Sequence, residues 1–162
     1  MKTIILLIVF ASFASFASFA SFGAGTTSSS DTTTETSHQI IKLYELAEKH
    51  IDNKSYDKSL KLLKKLTKRE DLGTKRADIY NLLGFSYRKL ENPDLDKSFA
   101  AYMMALELDP NHAGAHEYLG ELYLMRDDLD KASNILLELE TLVGKDAQEY
   151  IDLLKAIENY QS

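Results

Sequence analysis

From Gln39 onward the apolar residues recur every three or four positions, the period of a helix with one buried face. Residues 39–53 place Ile40, Leu43, Tyr44, Ala47 and Ile51 on one face, and residues 55–68 do the same with Tyr56, Leu60, Leu63 and Leu66. The pairing recurs at about 76–91 with 95–109, and again at 113–126 with 128–143. A last helix, about 146–159, carries Ala147, Tyr150, Ile151, Leu154 and Ile157 on one side. No stretch alternates with period two for long enough to form a strand. The pattern predicts an all-α chain of seven short helices, six of them in pairs.

The residues ahead of Gln39 follow a different logic. Met1-Lys2 is a short positive end, Thr3 to Phe10 is almost wholly apolar, and Ala-Ser-Phe then repeats from Ala11 to Phe22. A positive start, an apolar run and small residues after it form an export signal, assigned here to residues 1–23. Ala20, Gly23 and Gly25 offer cleavage positions, and the two glycines are preferred. An uncleaved membrane anchor is the alternative, since residues 3–22 just suffice to span a bilayer. No Cys follows the run, which excludes a bacterial lipoprotein signal. Residues 24–38 are rich in Ser and Thr, lack apolar periodicity, and read as a flexible tether to a domain at 39–160. O-glycosylation of that Ser/Thr cluster is the alternative role. The expected destination is export, and the periplasm if the source is a Gram-negative bacterium.

The helix pairs also repeat in sequence. Leu83-Gly84-Phe85-Ser86-Tyr87 returns as Leu119-Gly120-Glu121-Leu122-Tyr123. Asp57-Lys58-Ser59 returns as Asp96-Lys97-Ser98 and as Asp130-Lys131-Ala132. Ser98 and Ala132 are 34 residues apart, and Gly84 and Gly120 are 36 apart because the turn Glu91–Leu95 carries two more residues. Paired helices with a period near 34 are the mark of a helical repeat.

On these residues the chain resembles the tetratricopeptide repeat family, in its small exported bacterial form. The best motif is Tyr80-Asn81-Leu82-Leu83-Gly84-Phe85-Ser86-Tyr87, followed by Ser98, Tyr102, Ala105 and Pro110. The third repeat offers Leu119-Gly120, Tyr123, Ala132 and Leu136. The first departs most, with Ala47 in place of the helix-A Gly and Ser59 in place of the helix-B Ala. Leu66 and Leu139 replace a small residue late in helix B, and only the second repeat has its terminal Pro.

The resemblance implies a right-handed superhelical solenoid. Its repeats would span about 40–73, 77–110 and 113–146, with a capping helix at 146–159. It further implies a concave groove that takes a peptide or another protein. Its lining would be Tyr44, Glu48 and Ile51 in the first repeat, Asn81, Phe85, Arg88 and Lys89 in the second, and Glu117, Glu121 and Leu124 in the third. Asn81 stands out, because an amide pairs with both backbone groups of an extended peptide. Some members grip the C-terminal carboxylate of heat-shock chaperones with a Lys/Asn/Arg clamp. Tyr44, Glu48 and Tyr118 stand at clamp positions here, which argues against that partner class.

Composition narrows the choice of chemistry. The 162 residues are 44% hydrophobic and 27% charged, as in a soluble globular protein, and the net charge of −6 argues against general nucleic-acid binding. With no Cys there is no disulfide and no Cys-based zinc or redox site. The charge is divided along the chain. Residues 39–90 hold 13 Lys/Arg against 7 Asp/Glu, a net of +6. Residues 91–162 hold 5 against 16, a net of −11. Lys54, Lys58, Lys61, Lys64, Lys65, Lys68 and Arg69 gather on or beside helix B of the first repeat. That stripe is either a solvated outer face or a contact for an anionic membrane or acidic partner, and opposed halves also permit head-to-tail self-association.

Catalytic groupings are scarce. His112 and His116 have helical i, i+4 spacing but lack the HExxH arrangement, so surface roles are expected and no metal or other cofactor is. His50 stands where the other repeats have Tyr and reads as a packing residue. Asp127-Asp128-Asp130 lacks the Gly and distal Glu of a calcium loop, and Asp128 reads as a helix cap. No phosphate loop or nucleophile elbow is present. The sequence therefore points to a non-enzymatic interaction scaffold. The alternative is a membrane-surface or self-assembling envelope component that uses the basic first repeat.

Overall fold

The computed structural model describes residues 29–162, with side chains from Ser37 onward. The expected export signal lies outside the described residues. Seven helices follow in order: α1 Ser29–Asp52, α2 Tyr56–Leu66, α3 Lys75–Arg88, α4 Leu95–Leu108, α5 Ala113–Met125, α6 Leu129–Val143 and α7 Gln148–Gln161. No strand occurs among the described residues. The one clear departure from expectation is at the start. Helix α1 reaches back to Ser29, so residues 29–38 of the supposed tether are helical.

The three interhelix turns within pairs share one hydrogen bond. The amide of Ser55 donates to the His50 carbonyl (2.7 Å), that of Asp94 to Tyr87 (3.1 Å), and that of Asp128 to Tyr123 (2.9 Å). The two extra residues of the second turn lie inside this loop, so the insertion leaves the pair geometry unchanged. The shorter turns require a left-handed residue instead, Lys54 (φ 55°) and Asp127 (φ 63°). Helices α4 and α6 start on true caps. The Asp94 carboxylate accepts from the Lys97 amide (3.0 Å) and Asp128 from the Lys131 amide (3.1 Å).

Small residues let the helices close on one another. Ser98 Oγ donates to the Gly84 carbonyl (2.8 Å), and Ser86 and Ser59 share a hydroxyl contact (3.3 Å). The fully buried Tyr102 ring fills the space where Gly84 has no Cβ, and Leu153 of α7 does the same at Gly120. Around these contacts run Leu60, Leu63, Leu66, Ile79 and Leu83 at one end. Leu119, Leu122, Ile135, Leu139 and Leu153 form the core at the other. Leu72, in the loop between pairs, is also buried and plugs the first interface.

Each helix packs on the next. The odd-numbered helices also touch in succession, α1 on α3, α3 on α5 and α5 on α7, while no such contact joins α2 to α4 or α4 to α6. The stack is therefore closer on the side of α1, α3, α5 and α7, and that side is concave. The result is a solenoid of three helix pairs closed by α7, which covers the apolar end that a fourth pair would otherwise need to bury. Among the described residues no helix is long and apolar enough to cross a membrane.

Candidate functional site

The concave face divides into two regions. At the α1 end, Ile40, Ile41, Tyr44, Glu45, Glu48 and Lys75 surround a hollow of about 260 Å³. The Lys75 ammonium sits 4.9 Å from the Tyr44 ring centre, a cation–π contact between α3 and α1. Burial, then Glu48 and Asp78 nearby, push the Tyr44 phenol well above its ordinary range.

The centre is an aromatic row held by α3 and α5. Phe85 lies tilted against Tyr118 with ring centres 4.9 Å apart, and meets the edge of Tyr56 at 6.2 Å. The Arg88 guanidinium stacks over both inner rings, 5.5 Å from Phe85 and 5.3 Å from Tyr118. It pairs with the Glu121 carboxylate and is only 4% exposed. Burial opposes the Arg88 charge, but Tyr102 and Glu121 outweigh it and raise its pKa. Lys89, exposed, reaches over the other side of Phe85 at 5.5 Å. Beside the row, Asn81 is 7% exposed and its Oδ1 has no hydrogen-bond partner. Gly114 of α5 faces it. A Cβ there would come within 3.3 Å of Asn81 Nδ2, so the glycine leaves the amide its space.

Towards α7 the face turns acidic. Glu117 and Glu121 lie one turn apart on α5, and Glu149 and Asp152 lie on α7 opposite them. Glu117 is 8% exposed. Burial first, then Glu121, Asp152 and Glu149, push its carboxyl up to about 8, against which Arg88 is a weaker pull downward. The same surroundings raise the Tyr118 phenol to about 12, burial leading.

Six of the ten expected lining residues thus converge: Asn81, Phe85, Arg88, Lys89, Glu117 and Glu121, while Ile51 is half-buried near the C-terminal end of α1. Three of those are nearly covered: Arg88, sealed between two rings and a carboxylate, Asn81 and Glu117. Tyr44 and Glu48 form the separate hollow, and Leu124 packs into the core beside α6. Tyr56, Glu149 and Asp152 were missed. Their place depends on how α2 and α7 dock, which no local pattern encodes.

The histidines do not gather. His112 caps α5, its Nδ1 accepting from the Ala115 amide (3.1 Å). Its Nε2 therefore carries the proton and donates to Asp78 on α3 (3.2 Å). His116 Nε2 contacts the Pro110 carbonyl (2.9 Å), beside a shallow hollow of about 570 Å³ that Leu137, Thr141 and Leu142 also line. Among the described residues no three His, Asp or Glu side chains gather as they would to hold a metal.

Comparison with known proteins agrees with this architecture. Residues 101–132 match the family model of the tetratricopeptide repeat. The tetratricopeptide repeat domain-containing protein PYG7, chloroplastic, of Arabidopsis thaliana is 31% identical over 99 residues, which is 60% of this chain. The match spans 32% of that relative's length, about a third of it. Among solved structures, the first tetratricopeptide domain of Spaghetti (RPAP3), bound to an HSP90 peptide, superposes with a TM-score of 0.63 over 77% of this chain and 94% of its own, at 16% identity. The Yersinia enterocolitica type III secretion chaperone SycD, in complex with a peptide of the translocator YopD, gives 0.62 over 78% and 97%, at 17% identity. Residues 101–132 thus match one tetratricopeptide repeat, and the described residues share the helical solenoid fold of these structures.

Proposed function

We propose that the chain is a non-enzymatic scaffold that holds a peptide or protein segment along the concave face of an exported tetratricopeptide solenoid. One observation carries the reading. A nine-tenths-buried amide, Asn81, keeps a polar end without a partner beside an aromatic row that opens onto the groove. Leaving a buried polar atom unpaired costs roughly 1–3 kcal/mol, and a bound backbone is the natural group to relieve it. The rings of Phe85 and Tyr118 add apolar contact at little conformational cost. Two proteins of the same fold, at low identity, hold peptides, which supports the class of ligand and not its identity. Export rests on residues 1–23, whose composition is that of a signal.

The test is capture. The immobilised full-length chain is exposed to extract of its source cells at physiological salt, beside Asn81→Ala/Phe85→Ala. A partner retained by the native chain and lost by the variant supports the groove. Equal retention by both refutes it. A second reading draws on Lys58, Lys61 and Lys65 of α2, which are exposed and make no ion pair within the described residues. Reversing those three charges releases the protein from anionic vesicles if that face meets a membrane, and changes nothing if it is merely solvated.

A further inference from the structure

We propose that His112 is a positioning residue of the groove. Its neutral imidazole holds the first turn of α5 against the Asn81 amide, and its protonation releases that turn and weakens the hold on the bound segment. The inference rests on the groove reading above and supplies its regulation.

His112 is the N-cap of α5 and its side chain is only 15% exposed. Both ring nitrogens are in use. Nδ1 accepts from the Ala115 amide (3.1 Å), which also donates to the His112 carbonyl (3.0 Å). Nε2 donates to Asp78 on α3 (3.2 Å), and the other Asp78 oxygen takes the Lys75 ammonium (3.0 Å). Lys75 in turn lies over the Tyr44 ring of α1. One chain of contacts therefore crosses α1, α3 and α5 along the concave side.

Gly114 brings this chain to the binding amide. The point where its Cβ would stand is 3.3 Å from Asn81 Nδ2 and 3.6 Å from His112 Cε1. The imidazole and the amide thus close on the same spot of α5. Asn81 is 7% exposed and its Oδ1 has no partner, so a shift of this spot moves the polar group that the bound segment meets.

Only the neutral Nε2–H tautomer satisfies the arrangement, because Nδ1 needs a lone pair towards Ala115 and Nε2 a hydrogen towards Asp78. A second proton goes to Nδ1 and sets two N–H groups head-on across 3.1 Å. Asp78 holds the imidazolium to α3, so the contact that yields is the one to α5. The other side-chain caps among the described residues lack this property. Asp94 and Asp128 cap with carboxylates that Lys97 and Lys131 keep ionised, so they accept throughout the neutral range.

The charged and titratable groups facing His112 are Asp78 and Lys75 on α3, Tyr44 on α1 beyond Lys75, and Asp109 in the preceding loop. The Asp109 carbonyl accepts the His112 amide (3.1 Å), and its carboxylate accepts the Asn111 amide (3.0 Å). His116, one turn along α5, is turned to the Pro110 carbonyl (2.9 Å) and to Glu138 of α6 (3.4 Å). Protonating His116 completes an ion pair and costs no cap, so it does not reproduce the effect of His112.

Two measurements on the full-length chain test the proposal. The first needs no ligand: the His112 ring, the Ala115 amide and the Asn81 side-chain amide are followed by NMR from pH 7.5 to 5.5. The Ala115 and Asn81 signals are expected to move with the His112 ring, and signals that stay fixed while the ring titrates overturn the proposal. The second uses a histidine-free peptide, selected from a random twelve-residue display library at pH 7.5 for loss of binding to Asn81→Ala/Phe85→Ala. Its affinity, read by fluorescence anisotropy, is expected to fall about fivefold at pH 5.5, the equivalent of one helix cap. His112→Asn, which keeps a capping oxygen and does not titrate, is expected to match the native chain at pH 7.5 and to change less than twofold. His112→Ala is expected to be weak at both. Parallel losses in the native chain and His112→Asn overturn the proposal, since the titrating group then lies elsewhere. If no peptide depends on Asn81 and Phe85, the groove reading fails and this inference with it. Ala115 and Asn81 signals that still follow His112 would then show that the groove had failed and not the hold on α5.

Discussion

Glu117→Gln is expected to make the protein more stable at pH 8 and to leave it almost unchanged at pH 5. The carboxyl titrates at its ordinary value of 4.5 in the unfolded chain and at about 8 in the fold, where burial and the neighbouring carboxylates disfavour its charge. Between those values the folded state binds more protons than the unfolded state. Stability is therefore complete below pH 4.5 and falls as the pH rises through 8. At about 1.4 kcal/mol for each pH unit between the two, the ceiling is about 5 kcal/mol. Groove water screens part of this, and the expected loss is about 2–3 kcal/mol. The window from pH 5 to 8 is clear of other shifted groups. Asp71, Asp94 and Asp128 are held below 3.8 by their Arg or Lys partners, and Tyr102 and Tyr118 are raised to about 12. Urea unfolding at each pH gives the answer as a difference between native chain and variant. With a slope of about 1.5–2 kcal/mol/M, the variant's midpoint should exceed the native one by roughly 1–2 M at pH 8. Two curves that run parallel from pH 5 to 8 would show that Glu117 is not held in the apolar, acid-lined position described.

Gly84→Ala gains helix propensity of about 1 kcal/mol yet should lower stability by about 1–2 kcal/mol net. The new methyl would stand 2.6 Å from two atoms of the fully buried Tyr102 ring, and a Tm equal to or above the native value would refute the close approach. Arg88→Met is expected to be far milder than Glu121→Ala. The latter strands a buried guanidinium at a cost of roughly 3–5 kcal/mol, whereas removing the charge itself leaves the Glu121 carboxylate, which is partly open to water. Equal destabilisation by the two in chemical unfolding would argue against the sealed position of Arg88. Asp94→Ala and Asp128→Ala each remove a cap worth about 1 kcal/mol. The caps are on separate helices, so the double variant should lose nearly the sum, measured again by urea midpoint.

Sequence alone determined the helices and their pairing, because a 3.6-residue apolar period is a local property. It placed six of the seven helices within a few residues of where they lie. It also marked Gly84, Gly120 and Ser98 as equivalent positions of the repeat and Asp128 as a cap. The start of α1 escaped it, since Ser29–Ser37 has no apolar stripe and is helical only as an extension of a helix anchored farther on. The site was legible in part for the same reason. Asn81, Phe85 and Glu121 follow from their places on helical faces. Whether a side chain on such a face meets solvent depends on what the next helix lays against it. Stacking of α5 on α3 sealed Arg88 between Phe85 and Tyr118, and docking of α7 on α5 brought Glu149 and Asp152 to Glu117. Those pairs are separated by about 30 residues of chain and joined only by packing, so the charge that distinguishes this groove belongs to the tertiary structure.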